Sequence, residues 1–136
     1  MRFTAALSIL SLFVGCGDGR PSRVPVSGQV LLDGKPLNYG SIQFLPPNAR
    51  ASYGNLDSEG RFTLTCYDPN DGVVPGQLTV LIISGEPIGE TGIRWHAPKK
   101  YSNYRTSDLK QEITGPTSNL TINISWDGGH PYVEEG

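Results

Sequence analysis

The sequence predicts an all-β fold, and within that class a seven-stranded antiparallel β-sandwich. Short apolar runs recur along the chain, and several of them alternate apolar and polar residues as half-buried strands do. Turn-forming clusters separate these runs, with 17 glycines and 11 prolines spread over 136 residues. No helical period of 3.6 residues appears after the first 15 residues. Two antiparallel sheets packed face to face would bury the apolar faces of such strands.

The chain divides into four predicted parts. Residues 1-15 form a signal peptide, residues 16-25 a tether, residues 24-125 the β-sandwich domain, and residues 126-136 a flexible C-terminal tail. The tether and the tail are rich in Gly and Pro and show no periodicity. A single domain is what a chain of this length predicts.

The leader is an apolar run, Phe3–Val14, that follows Arg2. As a helix it would span roughly 18 Å, which is too short for a hydrocarbon core of about 30 Å, so a secretory segment is indicated. An ordinary cleaved leader or an uncleaved anchor would also fit this run.

The leader ends in Leu12-Phe13-Val14-Gly15-Cys16, which resembles the lipobox of bacterial lipoproteins. In that family the cysteine thiol receives a diacylglycerol and the leader is cut just before it. The resemblance implies that residues 1-15 are a lipoprotein signal peptide. It also implies lipidation at Cys16, export, and attachment to a membrane of the cell envelope through the N-terminal lipid. Because Gly17 rather than Asp follows the cysteine, the family rule favours the outer membrane.

The first strand of the domain is predicted at Val26–Leu32, where apolar residues alternate with polar ones. Asp33-Gly34 is a turn pair, but Pro36 cannot donate to the ladder of a returning strand. We therefore predict a wide corner through Lys35–Gly40 that carries the chain to the second sheet, where Ser41–Leu45 forms its first strand.

Five more strands are predicted. Ala51–Leu56 and Arg61–Cys66 form a hairpin, and single strands follow at Gln77–Ser84, Ser107–Thr114 and Asn119–Ser125. Gln77–Ser84 is apolar on both faces, so we expect the irregular segment Gly85–Tyr104 to cover its outer face. The predicted core comprises Val26, Val30, Leu32, Ile42, Phe44, Leu56, Phe62, Leu64, Leu78, Val80, Ile82, Leu120, Ile122 and Ile124.

Three segments together resemble the carboxypeptidase regulatory-like domain family. They are VSGQV with DGKPL and SIQF over residues 26–44, DSEGRF over residues 57–62, and PGQLTV over residues 75–80, in which Leu78 replaces the usual Tyr. The resemblance implies a transthyretin-like (prealbumin-like) sandwich with a non-catalytic accessory, binding or structural role.

Composition argues against several functions. The net charge of −2 gives no electrostatic footprint for nucleic acid. His96 and His130 are the only histidines, and neither a metal-ligand spacing nor a G-x-S-x-G motif occurs, so we expect no metal, no cofactor and no enzyme activity. The DPNDG sequence at Asp68 lacks the acidic series of a calcium loop and is typical of a turn. Cys66 is in phase with the apolar residues of its strand, and we expect it to face the core.

The candidate binding surface is the segment Gly92–Arg105, which has four cations, three aromatic residues and no acid. These rings and cations could stack on sugar rings or hold an anionic polymer. Alternatively, and in our preferred interpretation, Trp95 and Tyr101 cover the strand Gln77–Ser84 while the cations stay solvated. The candidate residues are Arg94, Trp95, Lys99, Lys100, Tyr101, Tyr104 and Arg105.

The sequence thus predicts a non-catalytic, lipid-anchored β-sandwich module of the cell envelope with a structural or protein-interaction role. The alternative is a carbohydrate- or polyanion-binding module that uses residues 92-105. Its expected partners are the membrane and an unknown envelope protein or glycan, and not nucleic acid.

Overall fold

The computed structural model of the protein describes residues 19–135, an all-β arrangement with a single 3-10 turn in that range. The predicted signal peptide 1-15 and Cys16 lie outside the described residues. Within 19–135, no helix has the length and apolar character needed to cross a membrane. The strands are β1 Val26–Leu32, β2 Lys35–Pro36, β3 Ser41–Leu45, β4 Ser52–Asn55, β5 Arg61–Thr63, β6 Gly76–Ile83, β7 Gly85–Ile88, β8 Gly92–Trp95, β9 Lys110–Ile113, β10 Thr117–Ile124 and β11 Tyr132–Glu134, and the 3-10 turn is Lys99–Ser102.

Two larger sheets enclose the core. In the first, β1 pairs with β10 on one side and with β5 and β2 on the other. The second has the order β4-β3-β6-β9 and is antiparallel throughout, so the apolar strand β6 is central, as its two apolar faces indicated.

The pairing of β1 with β10 is parallel, where the sequence predicted antiparallel sheets only. The connection between β9 and β10 is short and crosses from the second sheet to the first. As a result, β10 begins at the same end of the sheet as β1, and the amide of Thr117 donates to the carbonyl of Pro25 at 2.9 Å. Both strands therefore run in the same direction.

The corner after β1 is tighter than predicted. Asp33 and Gly34 have positive φ angles of 49° and 82°, as the two central residues of a primed turn require, and Leu32 faces Lys35 across it. Pro36 is tolerated because β2 lies at an exposed edge and its nitrogen needs no partner there. The chain then enters the second sheet at β3, so the predicted change of sheet is confirmed.

The predicted core is confirmed. Eleven of its residues are buried in one cluster, and the other three, Leu32, Leu56 and Leu120, are half-buried and pack against it. Phe44 of the second sheet and Phe62 of the first bring their ring centroids to 6.1 Å. Cys66 is also buried, as its phase predicted. Five further residues complete the cluster: Leu37, Val73, Ala97, Tyr101 and Ile113.

The sandwich has two ends, which we name by the path of the chain. The entry end is the end at which the chain enters β1, and residues 46–51 and 64–75 lie around this end. At the far end lie the turn Asp33-Gly34, the 3-10 turn and a small third sheet of order β7-β8-β11. Two segments predicted to be irregular therefore contain strands. Residues 85–104 contain the β7–β8 hairpin, and the predicted tail contains β11, which pairs with β8.

The predicted tether, 16-25, is also attached to the domain over its last residues. Val24 and Val73 exchange two backbone hydrogen bonds of 2.9 and 3.0 Å, and Arg23 contacts Asp71. The attachment arises because the neighbouring turn offers a carboxylate and free backbone groups to the incoming chain. A flexible link is thus excluded from Arg23 onward.

Candidate functional site

Trp95 lies at the centre of the third sheet with only 6% of its surface exposed. Its indole N–H donates to Oε2 of Glu134 at 3.1 Å. Lys99 Nζ also donates to both oxygens of that carboxylate, at 2.9 and 3.1 Å. The Lys99 hydrogen bond lowers the pKa of Glu134, and the same bond raises the pKa of Lys99. Glu134 therefore holds β11, Trp95 and Lys99 together.

Tyr101 is 5% exposed and belongs to the main core, and its hydroxyl donates to the carbonyl of Ser125 at 3.4 Å. Lys100 Nζ lies 4.8 Å from the Tyr101 ring centroid and 3.5 Å from Asp127. The Tyr101 phenol, and after it the carboxylates of Asp108 and Asp127, raise the pKa of Lys100. Both candidate lysines thus have acidic partners.

The other candidates in this segment are exposed, and Tyr104 has 59% of its surface open. Among the described residues, the guanidinium groups of Arg94 and Arg105 form no ion pair. Since Trp95 and Tyr101 are buried, neither offers a ring face to a sugar, and the structure does not form the stacking platform of the alternative interpretation. The interpretation that these rings cover apolar surface fits better, although Tyr101 fills the core between the sheets rather than covering the outer face of β6.

A cavity of about 490 Å³ opens at the far end, between the β1–β2 corner and the C-terminal segment. We call it the Trp126 cavity. Trp126 contributes its half-buried ring, His96 borders it, and Leu32, Pro36 and Pro131 supply apolar wall.

Asp33 fixes the position of Trp126. One of its carboxylate oxygens accepts from the Ser125 hydroxyl at 2.6 Å, and the other accepts from the Trp126 amide at 3.3 Å. The ring of Tyr132 approaches Trp126 edge-on, with 6.3 Å between centroids.

His96 is oriented by two neighbours. Its Nε2 lies 2.6 Å from Oε2 of Glu86, and the ring of Tyr39 packs against it with 4.9 Å between centroids. His130 is exposed, and its ring nitrogen lies 2.9 Å from the carbonyl of Pro131. In the range 19–135, no three His, Cys, Asp or Glu side chains are grouped so that they could hold a metal ion.

At the entry end, the turn interpretation of DPNDG is confirmed. Asp71 accepts hydrogen bonds from the backbone amides of Cys66 at 2.6 Å and of Tyr67 and Asp68 at 3.0 Å each. Partial burial raises the pKa of Asp71, but these donors, together with Arg23 Nε at 3.1 Å, outweigh it and lower the pKa to about 2.

The ring of Tyr67 completes this corner. The guanidinium carbons of Arg20, Arg23 and Arg50 lie 4.8, 4.9 and 4.9 Å from its centroid. Such contacts with an aromatic ring each stabilise an exposed site by about 0.5–1 kcal/mol. The incoming chain is therefore held by side chains as well as by the backbone bridge at Val24.

The sequence missed the acidic partners and the cavity. Glu86, Asp127, Glu134 and Trp126 lie in segments that were predicted to be irregular or frayed. The run Tyr132-Val133-Glu134 has residues that favour a strand and could have predicted β11. It is too short to be distinguished within an acidic, glycine-rich tail. Comparisons of the chain with protein-family models, with curated proteins and with solved structures found no match.

Proposed function

We propose that this chain is a non-catalytic, lipid-anchored module of the bacterial cell envelope with a structural or protein-interaction role, built on a transthyretin-like sandwich. The lipobox around Cys16 and the opening motifs of the domain support it. The observation that carries the proposal is the fixed attachment of residues 23–24 at one end of the sandwich. Such an attachment determines which end of the domain faces the anchor.

The length of the link limits how far the entry end can lie from the anchor. Seven residue steps separate Cys16 from Arg23, and a fully extended chain covers at most about 25 Å over seven steps. A lipidated Cys16 would therefore hold the entry end close to the membrane surface. The strand β1 has seven residues, so its length of about 23 Å separates the far end from the entry end.

Exposed apolar surface is concentrated away from the anchor. Tyr39, Tyr132 and Val133 are 37%, 39% and 42% exposed and lie at the far end. Tyr104 follows the 3-10 turn, and of the large apolar side chains exposed in the described range only Tyr53 lies elsewhere, on β4. Tyrosine is enriched at protein interfaces, so the far end is the surface that we assign to a partner.

Fractionation of cells tests the anchor. Replacing Cys16 with Ser removes the acyl acceptor, and we expect the protein to move from the membrane fraction to the soluble fraction. Cys66→Ser is the matched control, because that thiol is buried in the domain and should not affect attachment. Retention of the Cys16→Ser variant in the membrane would contradict the anchoring proposal.

Crosslinking in intact envelopes tests the partner surface. A photoreactive residue at position 132 should give crosslinks to other proteins, while the same residue at position 50, at the entry end, should give fewer. If position 132 yields no protein crosslink, the interaction role at the far end is wrong.

A further inference from the structure

We propose that the Trp126 cavity is a binding site for an acidic saccharide, one whose sugar rings carry carboxylate groups. Its volume of about 490 Å³ lies within the range of small-molecule sites, roughly 300–1,000 Å³. The site is distinct from residues 92–105 except for His96, and it does not depend on whether the chain is anchored by lipid.

The first argument is the fixed aromatic ring. Trp126 is half-buried, its backbone amide donates to Asp33, and the ring of Tyr132 packs against its ring. The Ser125 hydroxyl donates to the same carboxylate, and it accepts a hydrogen bond of 3.0 Å from the backbone amide of Asp127. A ring held in this way binds a ligand with little loss of conformational freedom, and its face suits the apolar C–H face of a sugar.

The second argument is the balance of donors and acceptors. Lys35 Nζ, the Asn38 amide and the Trp126 indole N–H all belong to lining residues, and among the described residues none of the three has a hydrogen-bond acceptor. Each carboxylate oxygen of Asp33, in contrast, already accepts a hydrogen bond. The three donors without an acceptor favour a ligand that presents oxygen acceptors to them.

The third argument is charge. The lining contains one carboxylate, Asp33, whose two oxygens accept from Ser125 and Trp126, and one lysine, Lys35. Lys35 is exposed and forms no ion pair within the described chain, whereas Lys99 and Lys100 are both paired with acids. His96 also lines the cavity, with Nε2 taken by Glu86. A hydrogen bond from an ammonium to a carboxylate is stronger than one between neutral groups, so Lys35 favours an acidic sugar over a neutral one.

Calorimetry with the full-length protein in detergent tests the proposal. The probe is an oligogalacturonate, and the matched ligand is the same oligosaccharide with its carboxylates methyl-esterified. We expect the acidic probe to bind at least 10-fold more tightly than the ester. Failure to detect binding of the oligogalacturonate at millimolar concentration would overturn the proposal, as would equal affinity for the two ligands.

Variants locate the site. Lys35→Gln should weaken binding of the acidic probe about 10-fold and leave binding of the ester unchanged, and Trp126→Ala should abolish both. Arg105→Gln, which removes an exposed and unpaired cation outside the cavity, is the control and should have no effect. An effect of Arg105→Gln without one of Lys35→Gln would overturn the assignment and move the site to residues 92–105.

Folding and ligand class are checked separately. Lys35 is exposed and, within residues 19–135, its side chain forms no hydrogen bond or ion pair, so its variant should unfold at the same temperature as the parent. Trp126→Phe can replace Trp126→Ala if the latter does not fold. Phe keeps an aromatic face but loses the indole donor, so it should bind the acidic probe less tightly than the parent; unchanged affinity would count against the site. Binding of a proline-rich peptide in the cavity, together with no binding of the saccharide, would also overturn it.

Discussion

The two ends of the sandwich are held together by different chemistry. At the entry end, the half-buried carboxylate of Asp71 accepts three backbone N–H groups and a guanidinium, and its partners come from one turn and the incoming chain. At the far end, the third sheet is joined by exposed ion pairs such as Lys99–Glu134, whose side chains are 54% and 38% exposed. Charges close to water stabilise little, while a shielded carboxylate with several donors stabilises more. The comparison teaches that the entry end is held more firmly than the third sheet at the far end.

The largest effect should come from Gly72→Ala at the entry end. Gly72 has a φ of 99°, and an added Cβ would lie 1.7 Å from the carbonyl oxygen of Val24, so the backbone bridge there must break. We expect a loss of at least about 3 kcal/mol in the free energy of unfolding, measured by urea denaturation. Gly34→Ala at the far end is the control, because its φ is 82° but no atom lies within 4 Å of the added Cβ, and only about 1 kcal/mol should be lost. Equal losses would remove the contrast between the ends.

An intermediate effect is expected from Asp71→Asn. A pKa lowered from 3.8 to about 2 in a side chain that is 14% exposed corresponds to roughly 2.5 kcal/mol of stability at neutral pH. Asp68→Asn is the matched control in the same turn, because the Asp68 side chain is 64% exposed and its ion pairs are 3.7 Å long. A loss from Asp68→Asn as large as that from Asp71→Asn would contradict the assignment of the turn to Asp71.

The pH dependence of unfolding sharpens this result. Because the folded pKa of Asp71 is below its unfolded value, its contribution is fully present above about pH 4 and is lost as the pH falls through about 2. Between pH 6 and pH 2, the free energy of unfolding should therefore fall more steeply with decreasing pH for the parent than for Asp71→Asn. If the free energy of unfolding falls equally with decreasing pH in the two proteins, another carboxylate causes the acid sensitivity.

The smallest effect on global stability should come from Glu134→Gln at the far end. The variant weakens the bonds to Trp95 and Lys99, but the backbone pairing of β8 with β7 remains. We expect an unchanged urea midpoint and faster hydrogen exchange of the amides in β11 and β8. Because the pKa of Glu134 is lowered, the parent should show the same loosening of β11 as acid protonates this carboxylate. A fall in the urea midpoint as large as that of Asp71→Asn would mean that the far end is as rigid as the entry end.

The sequence predicted what depends on local pattern. Alternation located the strands and the core, and the turn chemistry of Asp71 followed from its neighbours in the chain. It could not predict the parallel pairing of β1 with β10, because a period of two residues is the same for either direction. Pro36 misled the prediction at the corner, since whether a strand lies at an edge is decided by the whole sheet.

The candidate site was harder to predict because its pairs are distant in sequence. Trp95 and Glu134 are 39 residues apart, and Asp33 and Ser125 are 92 residues apart. The cations of residues 92–105 suggested a binding surface by composition alone. Which of them can bind a ligand depends on their ion-pair partners, and these lie elsewhere in the sequence. Lys35 gave no such signal, because a single lysine in a turn is typical of solvent-exposed chain.

The parallel pairing of β1 with β10 also determines when this domain can fold. The first strand of the sandwich meets a partner roughly 90 residues later in the chain, at the last of the strands in the two larger sheets. Contacts over such separations form slowly, because a long loop must be closed before any pairing energy is gained. A chain that is still emerging can pair β1 with β2 and β5, but the first sheet gains β10 only once residue 124 is present.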